Sequence, residues 1–159
     1  MAGEVSTKRH EFLGVLILIV ALLLLLCLVS YNPHDSSMNA LSLKLTIDNK
    51  IGRIGAYVSD FLFQLFGYPA FLLLIPLVFL GWNLAFGRKI SVPFLRTLGF
   101  ILVLAASGAA LQLLPLRPRD VNFMPGGVTG VLIADTLVPN LNRTGTVIVV
   151  AGALLLGFM

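Results

Sequence analysis

Phe12-Leu13-Gly14-Val15-Leu16-Ile17-Leu18-Ile19-Val20-Ala21-Leu22-Leu23-Leu24-Leu25-Leu26-Cys27-Leu28-Val29 is 18 residues without a charged side chain, and it decides the fold. At 1.5 Å per residue, an α-helix of this length covers about 27 Å, close to the roughly 30 Å of hydrocarbon in a bilayer. Lipid offers no water to the backbone, so such a run must close its own hydrogen bonds as a helix. Lys8 and Arg9 stand before it, as they would before a secretory signal. No Ala-x-Ala site follows, and the run is longer than the about 7–15 apolar residues of a signal, so it is read as a retained helix. Tyr31 then falls where an interfacial aromatic belongs, and Asn32-Pro33-His34-Asp35-Ser36-Ser37 is turn chemistry that ends the helix outside the bilayer.

Three further stretches follow the same logic. The second runs from Tyr68 to Phe86, with Tyr68 at one boundary, Trp82 near the other, and Pro76 expected to bend it. The third, from Phe94 to Leu114, carries Gly99, Ala105, Ala106, Ser107, Gly108, Ala109 and Ala110, small residues that let a neighbouring backbone come close; it is expected to be the most buried helix. The fourth starts near Gly145 and is still apolar at Met159. About 15 residues are too few to cross, so the sequence is expected to be the front part of a longer protein.

Composition agrees, because 58% hydrophobic against 11% charged residues is more apolar surface than a soluble domain of 159 residues can bury. The 11 Lys and Arg residues give a net charge of +4 but form no stripe that could track phosphates, so direct nucleic-acid binding by this chain is not expected. Orientation rests on their density. Lys8, Arg9, Arg88, Lys89 and Arg96 fall within about 20 positions on one side, whereas Lys44, Lys50, Arg53, Arg117, Arg119 and Arg143 are spread over more than about 50 on the other. The N-terminus is therefore placed in the cytoplasm.

The sequence also repeats itself at an offset of 75 residues. Gly52-Arg53-Ile54-Gly55 matches Gly127-Val128-Thr129-Gly130, Val58-Ser59-Asp60-Phe61-Leu62 matches Ile133-Ala134-Asp135-Thr136-Leu137, and Phe66 matches Leu141. In the first copy Ile54, Tyr57, Val58, Phe61, Leu62, Leu65 and Phe66 share one helical face, while Ser59, Asp60 and Gln64 lie elsewhere, the pattern of an interfacial helix. From Ile54 through Phe86 a straight helix would reach roughly 50 Å, too long for one span. Gly67-Tyr68-Pro69 supplies a break, and Pro139 with Asn140 and Asn142 does so in the second copy.

The expected architecture is all-α: a polytopic membrane protein of four transmembrane helices, built as two repeats that each carry an extracytoplasmic amphipathic helix. Its parts are a cytoplasmic tail 1–11 and a transmembrane domain 12–159. Within the latter lie a first span 12–30, an external loop 31–52, an amphipathic helix 53–66 and a second span 68–86. A cytoplasmic loop 87–93, a third span 94–114, an external loop with amphipathic helix 115–143 and a cut-short fourth span 145–159 complete it.

No residue is assigned a catalytic, cofactor-binding or metal-binding role. Asp60 and Asp135 occupy equivalent places and invite an ion-handling reading, but both fall on the interfacial helices, and the reading preferred is capping or facing water. His10 and His34 fall on opposite sides of the membrane, and neither has Cys or carboxylate neighbours at ligand spacing. Cys27, the single cysteine, reads as a small packer facing lipid or a neighbouring helix; a lipoprotein anchor would want a small residue in place of Leu26. Gly126-Gly127-Val128-Thr129-Gly130 superficially looks like a phosphate-binding loop but lacks the lysine, so it is read as a turn into the second amphipathic helix.

Taken in order, Ser30-Tyr31-Asn32-Pro33-His34-Asp35, the string Gly52-Arg53-Ile54-Gly55-Ala56-Tyr57-Val58-Ser59-Asp60-Phe61-Leu62-Phe63, its continuation through Leu65-Phe66-Gly67 to Gly81-Trp82, and Gly126-Gly127-Val128-Thr129-Gly130 cover nearly the whole chain. In these residues the chain resembles the N-terminal membrane domain of the FtsK/SpoIIIE family of bacterial DNA translocases. The resemblance implies a membrane anchor at the division septum of the inner membrane. In the longer protein a linker and a hexameric motor would follow, with ATP and magnesium expected only there, and with contacts to other division proteins. The chain by itself is not expected to be an enzyme. Two rivals stand beside the anchoring and assembly role: a small transporter or channel subunit, suggested by the repeat and by Pro and Gly within helices, and a small membrane protein that ends near Met159. Against the transporter, the repeat runs in parallel and no span has an ionisable residue near its centre.

Overall fold

The computed structural model describes residues 2–35, 47–88, 94–115 and 121–159, and the side chains from residue 8 onward within them. Ser36 and Ser37 of the expected turn, and Lys44, Lys89, Arg117 and Arg119 of the charge count, lie outside the described residues, as do parts of the loops 31–52, 87–93 and 115–143.

Every regular element described is helical. Helix α1 is Ala2–Val29, α2 is Gly52–Phe66, a 3-10 segment covers Tyr68–Leu73, α3 is Leu74–Ala85, α4 is Phe94–Leu113 and α5 is Gly127–Phe158. Four of these stretches are long and apolar enough to cross a membrane: Lys8–Val29, Tyr68–Ala85, Phe94–Leu113 and Gly127–Phe158. The chain is a multi-pass membrane protein. The apolar core of α1 is continuous with a helical start at Ala2, so the segment before the first span extends the same rod.

Two antiparallel pairs form, α1 on α3 and α4 on α5. In the first, Gly14 brings the α1 backbone against that of α3: a Cβ there would stand 2.1 Å from the Ala85 nitrogen. Lipid gives no hydrophobic drive for association, so this close approach is where the dispersion energy of the pair is gained. The small residues of α4 serve α5 in the same way, and with 28% of its span buried α4 is the most buried of the four, as its composition predicts. The two pairs meet through α2, the 3-10 segment and the start of α5.

The offset of 75 residues is visible in the backbone. Ile51 (φ −95°, ψ 5°) and Gly126 (φ −92°, ψ 0°) cap α2 and α5 in one conformation. Gly52 and Gly127, next in line, have φ of +72° and +62°, and Gly67 and Asn142, at the same offset, have +65° and +57°. Left-handed φ is open to glycine and tolerated by asparagine, so the chain can turn here without a Cβ clash. Asn142 is thus the break expected among Pro139, Asn140 and Asn142, and Pro139 sits inside the helix before it. In the second span Pro76 stands in the first turn of α3, just after the 3-10 segment, where a missing N–H costs little.

The orientation of α2 corrects one expectation. Its buried residues are Gly55, Ala56, Ser59, Asp60 and Phe63, whereas Ile54 and Phe61 of the apolar stripe are 74% and 52% exposed. Asp60 does not face water: it is 2% exposed, against the protein. Where the surrounding solvent is lipid, apolar side chains lose nothing by pointing outward, and polar groups must find partners inside. Its counterpart Asp135 is exposed, so the two equivalent carboxylates have opposite surroundings.

Candidate functional site

Among the described residues, the buried polar side chains Asp35, Asn49, Ser59 and Asp60 lie where α1 stops and along α2. A helix end leaves its last carbonyls without partners. Here Asn49, 3% exposed, donates from its amide nitrogen to the carbonyls of Cys27 (3.0 Å) and Ser30 (3.3 Å). Its amide oxygen accepts the Ile51 N–H at 3.0 Å, so one side chain closes α1 and starts α2. Asp35, 2% exposed, accepts the N–H groups of Asp48 and Asn49, each at 2.9 Å. Asn32 accepts the His34 N–H at 2.9 Å, an Asx turn, and donates to the Asp48 carboxylate at 2.8 Å. Asn32-Pro33-His34-Asp35 is therefore a folded cap.

Beneath the cap lies an aromatic cluster drawn from four parts of the chain. Tyr31 meets Phe63 edge-on at 4.9 Å and Phe123 at 5.6 Å, Tyr68 meets Phe123 at 5.3 Å, and Phe63 stacks on Phe123 at 4.6 Å with 9° between the rings. The Tyr31 hydroxyl donates to Asp60 across a long 3.4 Å, and Gln64 donates to the other carboxylate oxygen at 3.1 Å. Burial pushes the Tyr31 phenol up to about 12, with the Asp60 charge and its hydrogen bond acting in the same sense.

Phe123 belongs to the second half of the chain, and three polar bonds fasten that half to the first. Asn122 donates to the Pro33 carbonyl at 2.8 Å, the Tyr68 N–H to the Pro125 carbonyl at 2.9 Å, and the Thr129 hydroxyl to the Leu65 carbonyl at 3.0 Å. The glycines allow this contact. A Cβ on Gly126 or Gly130 would lie 2.1 or 2.4 Å from the Gly108 carbonyl oxygen of α4. Gly126-Gly127-Val128-Thr129-Gly130 is a turn into α5 packed between backbones. His10 and His34 stand at opposite ends of α1, and Cys27 is buried against its neighbours.

Comparison with known proteins assigns this architecture. Residues 7–159 match the family model described as the 4TM region of DNA translocase FtsK/SpoIIIE. The chain belongs to the FtsK/SpoIIIE family. It is 35% identical over 167 residues to a DNA translocase FtsK of Azospirillum brasilense, covering 96% of this chain and 25% of that protein. A DNA translocase FtsK of Rickettsia prowazekii is 30% identical over 80% of the chain and 17% of its own length, and one of Shewanella oneidensis is 29% identical over 88% and 16%. The chain thus spans at most about a quarter of the curated relatives it matches. No solved structure matches it.

Within this FtsK/SpoIIIE membrane region, sequence reasoning found Tyr31, Asn32, Asp35, Asp60 and the glycine run but not the residues that join them. Asn49 and Phe123 were missed, whereas Gly108 stands among the small residues already read as sites of close approach on the third span. An asparagine three positions before a glycine-led helix is a detectable signal for Asn49. Phe123, a lone aromatic in a connection, carries none.

Proposed function

We propose that this chain is the membrane-anchoring and assembly domain of a septal DNA translocase acting in cell division and chromosome segregation. The observation that carries this reading is where the polar groups go. Asp35, Asn49 and Asp60 are consumed by bonds within the first half of the chain, and Asn122 and Thr129 by bonds that join the two halves, which suits a scaffold. In this reading the ATP- and magnesium-dependent motor belongs to the three quarters of the relatives' length that the chain does not cover, and the DNA is handled there.

The N-terminus is placed in the cytoplasm of a bacterial inner membrane, which puts the Asn49 and Phe123 region outside. There it would meet other division proteins, while copies gather in a ring of the hexameric kind implied by the family. Deleting residues 1 to 159 from the longer protein and following its position in dividing cells tests the anchoring role. Loss of the septal band is expected, and an undisturbed band overturns the reading. Cysteines introduced by Lys8→Cys, Arg88→Cys and Lys50→Cys should label from opposite faces, the first two together.

A further inference from the structure

The two halves of the chain are joined head to tail. The end of α2 receives the start of α5: Gly67 and Gly127 meet backbone to backbone, Tyr68 packs on Phe123 with ring centroids 5.3 Å apart, and the Thr129 hydroxyl donates to the Leu65 carbonyl. Because the halves repeat at an offset of 75 residues, each carries both surfaces of this contact. Only one surface of each half is used within the chain. The stretch equivalent to the α2 end holds Asn140, Asn142 and Arg143, and the stretch equivalent to the α5 start holds Asp48, Gly52 and Ile54.

These two stretches differ from the joined ones as an unmade contact would. Gly67 and Gly127 are buried, and a Cβ on Gly127 would lie 2.5 Å from the Gly67 nitrogen. Of their counterparts, Asn142 is exposed, and Gly52, with the same left-handed φ, has nothing within 4 Å of an added Cβ. Thr129 is half-buried, whereas its counterpart Ile54 is 74% exposed. The chemistry has changed in a complementary way. Tyr68 is replaced by Arg143 and Phe123 by Asp48, so the places of an aromatic pair fall to a cation on one surface and an anion on the other. Both are exposed. Each bonds within the chain, Asp48 to Asn32 and Arg143 to the Leu113 carbonyl, but a carboxylate and a five-donor guanidinium can take further partners.

We propose that the stretch around Asn142 and Arg143 docks on the stretch around Asp48 and Gly52 of a second copy of this chain, repeating between copies the contact that joins the two halves, with Arg143 paired to Asp48. The two halves cross the membrane in the same sense, so the same contact places the next copy in the same orientation. A contact between unlike surfaces leaves one of each kind at the ends after every addition, and it stops only by closing into a ring. The proposal rests on the reading that copies of the chain gather, and it names the faces that touch.

Cys27 is the single cysteine, so C27S gives a clean background for cross-linking. Ile54 and Asn140, at the places of Thr129 and Leu65, make a pair that leaves both charges intact. In vesicles holding the full chain, C27S/I54C/N140C treated with a short bismaleimide should give a ladder of dimers, trimers and larger species. Neither C27S/I54C nor C27S/N140C alone should cross-link, and the two mixed should stop at the dimer. D48R or R143D added to the pair should reduce the ladder at least about threefold. D48R and R143D together should restore it, a rescue that misfolded variants would not show. Monomer only, a ladder indifferent to the single reversals, a double reversal that does not restore it, or equal cross-linking by one single-cysteine variant overturns the proposal. Energy transfer between copies of C27S/K8C labelled with donor or acceptor separates the two ways of failing. Transfer without a ladder leaves the gathering of copies standing and removes this contact, whereas no transfer removes both.

Discussion

The rings of Phe63 and Phe123 lie 4.6 Å apart and nearly parallel, although 60 residues separate them in the chain. Phe63 belongs to α2 and Phe123 to the segment before α5, so this stack joins the two halves of the bundle. A pair of this kind contributes about 0.5–1.5 kcal/mol beyond its buried area. In a double-mutant cycle with Phe63→Leu and Phe123→Leu, unfolding in detergent should yield a coupling of that size; strict additivity would mean that the two halves are joined elsewhere.

Asn49 satisfies carbonyls at the end of α1 and an N–H at the start of α2. Asn49→Ala leaves these groups buried and should cost about 1–3 kcal/mol. Asn49→Asp keeps the acceptor but replaces the donor with a charge facing the Cys27 and Ser30 carbonyls, and it should cost more. Hydrogen exchange at Ile51 and Gly52 should accelerate in both variants. The reverse ranking would refute the donor role.

Two glycines make a paired test of backbone approach. Gly126→Ala places a methyl 2.1 Å from the Gly108 oxygen and should destabilise by about 1–3 kcal/mol or more. Gly152 has nothing within 4 Å of an added Cβ, so Gly152→Ala should be neutral or gain up to about 1 kcal/mol in helix propensity. Equal effects in thermal unfolding would show that the contact with α4 is not what selects glycine.

The Tyr31 phenol titrates above its ordinary value of 10.0, at about 12, because burial and the Asp60 carboxylate disfavour the phenolate. The folded state therefore holds this proton more tightly than the unfolded state. The resulting stabilisation is fully present below pH 10 and is lost as pH rises toward 12. Phenolate absorbance near 295 nm should show one late-titrating tyrosine, absent in Tyr31→Phe. Asp60→Asn should bring that component to lower pH; an unchanged midpoint would remove Asp60 as a cause.

Asp60 and Asp135 also separate the scaffold from a channel. Reconstituted protein is expected to pass no ion current that Asp60→Asn plus Asp135→Asn abolishes. A flux that vanished in that variant would favour the transport reading.

The sequence by itself determined the first three spans, because apolar length against bilayer thickness is a one-dimensional quantity and the backbone has no alternative to helix in lipid; the fourth, read as starting near Gly145, is part of a helix from Gly127 to Phe158 kinked at Asn142. It also marked a break at Gly67-Tyr68-Pro69, one among Pro139, Asn140 and Asn142, and a turn at 126–130; the structure puts the left-handed φ at Gly67, Asn142 and Gly127. Only the tertiary structure decided which face of α2 is inside. Periodicity reveals that a helix has two faces but not which one packs inward; that is set by neighbours from elsewhere in the chain, Tyr31 among them, which enclose Asp60 and leave Ile54 exposed. Phe123 acquires its role from neighbours distant in sequence, and no local pattern records a contact of that kind.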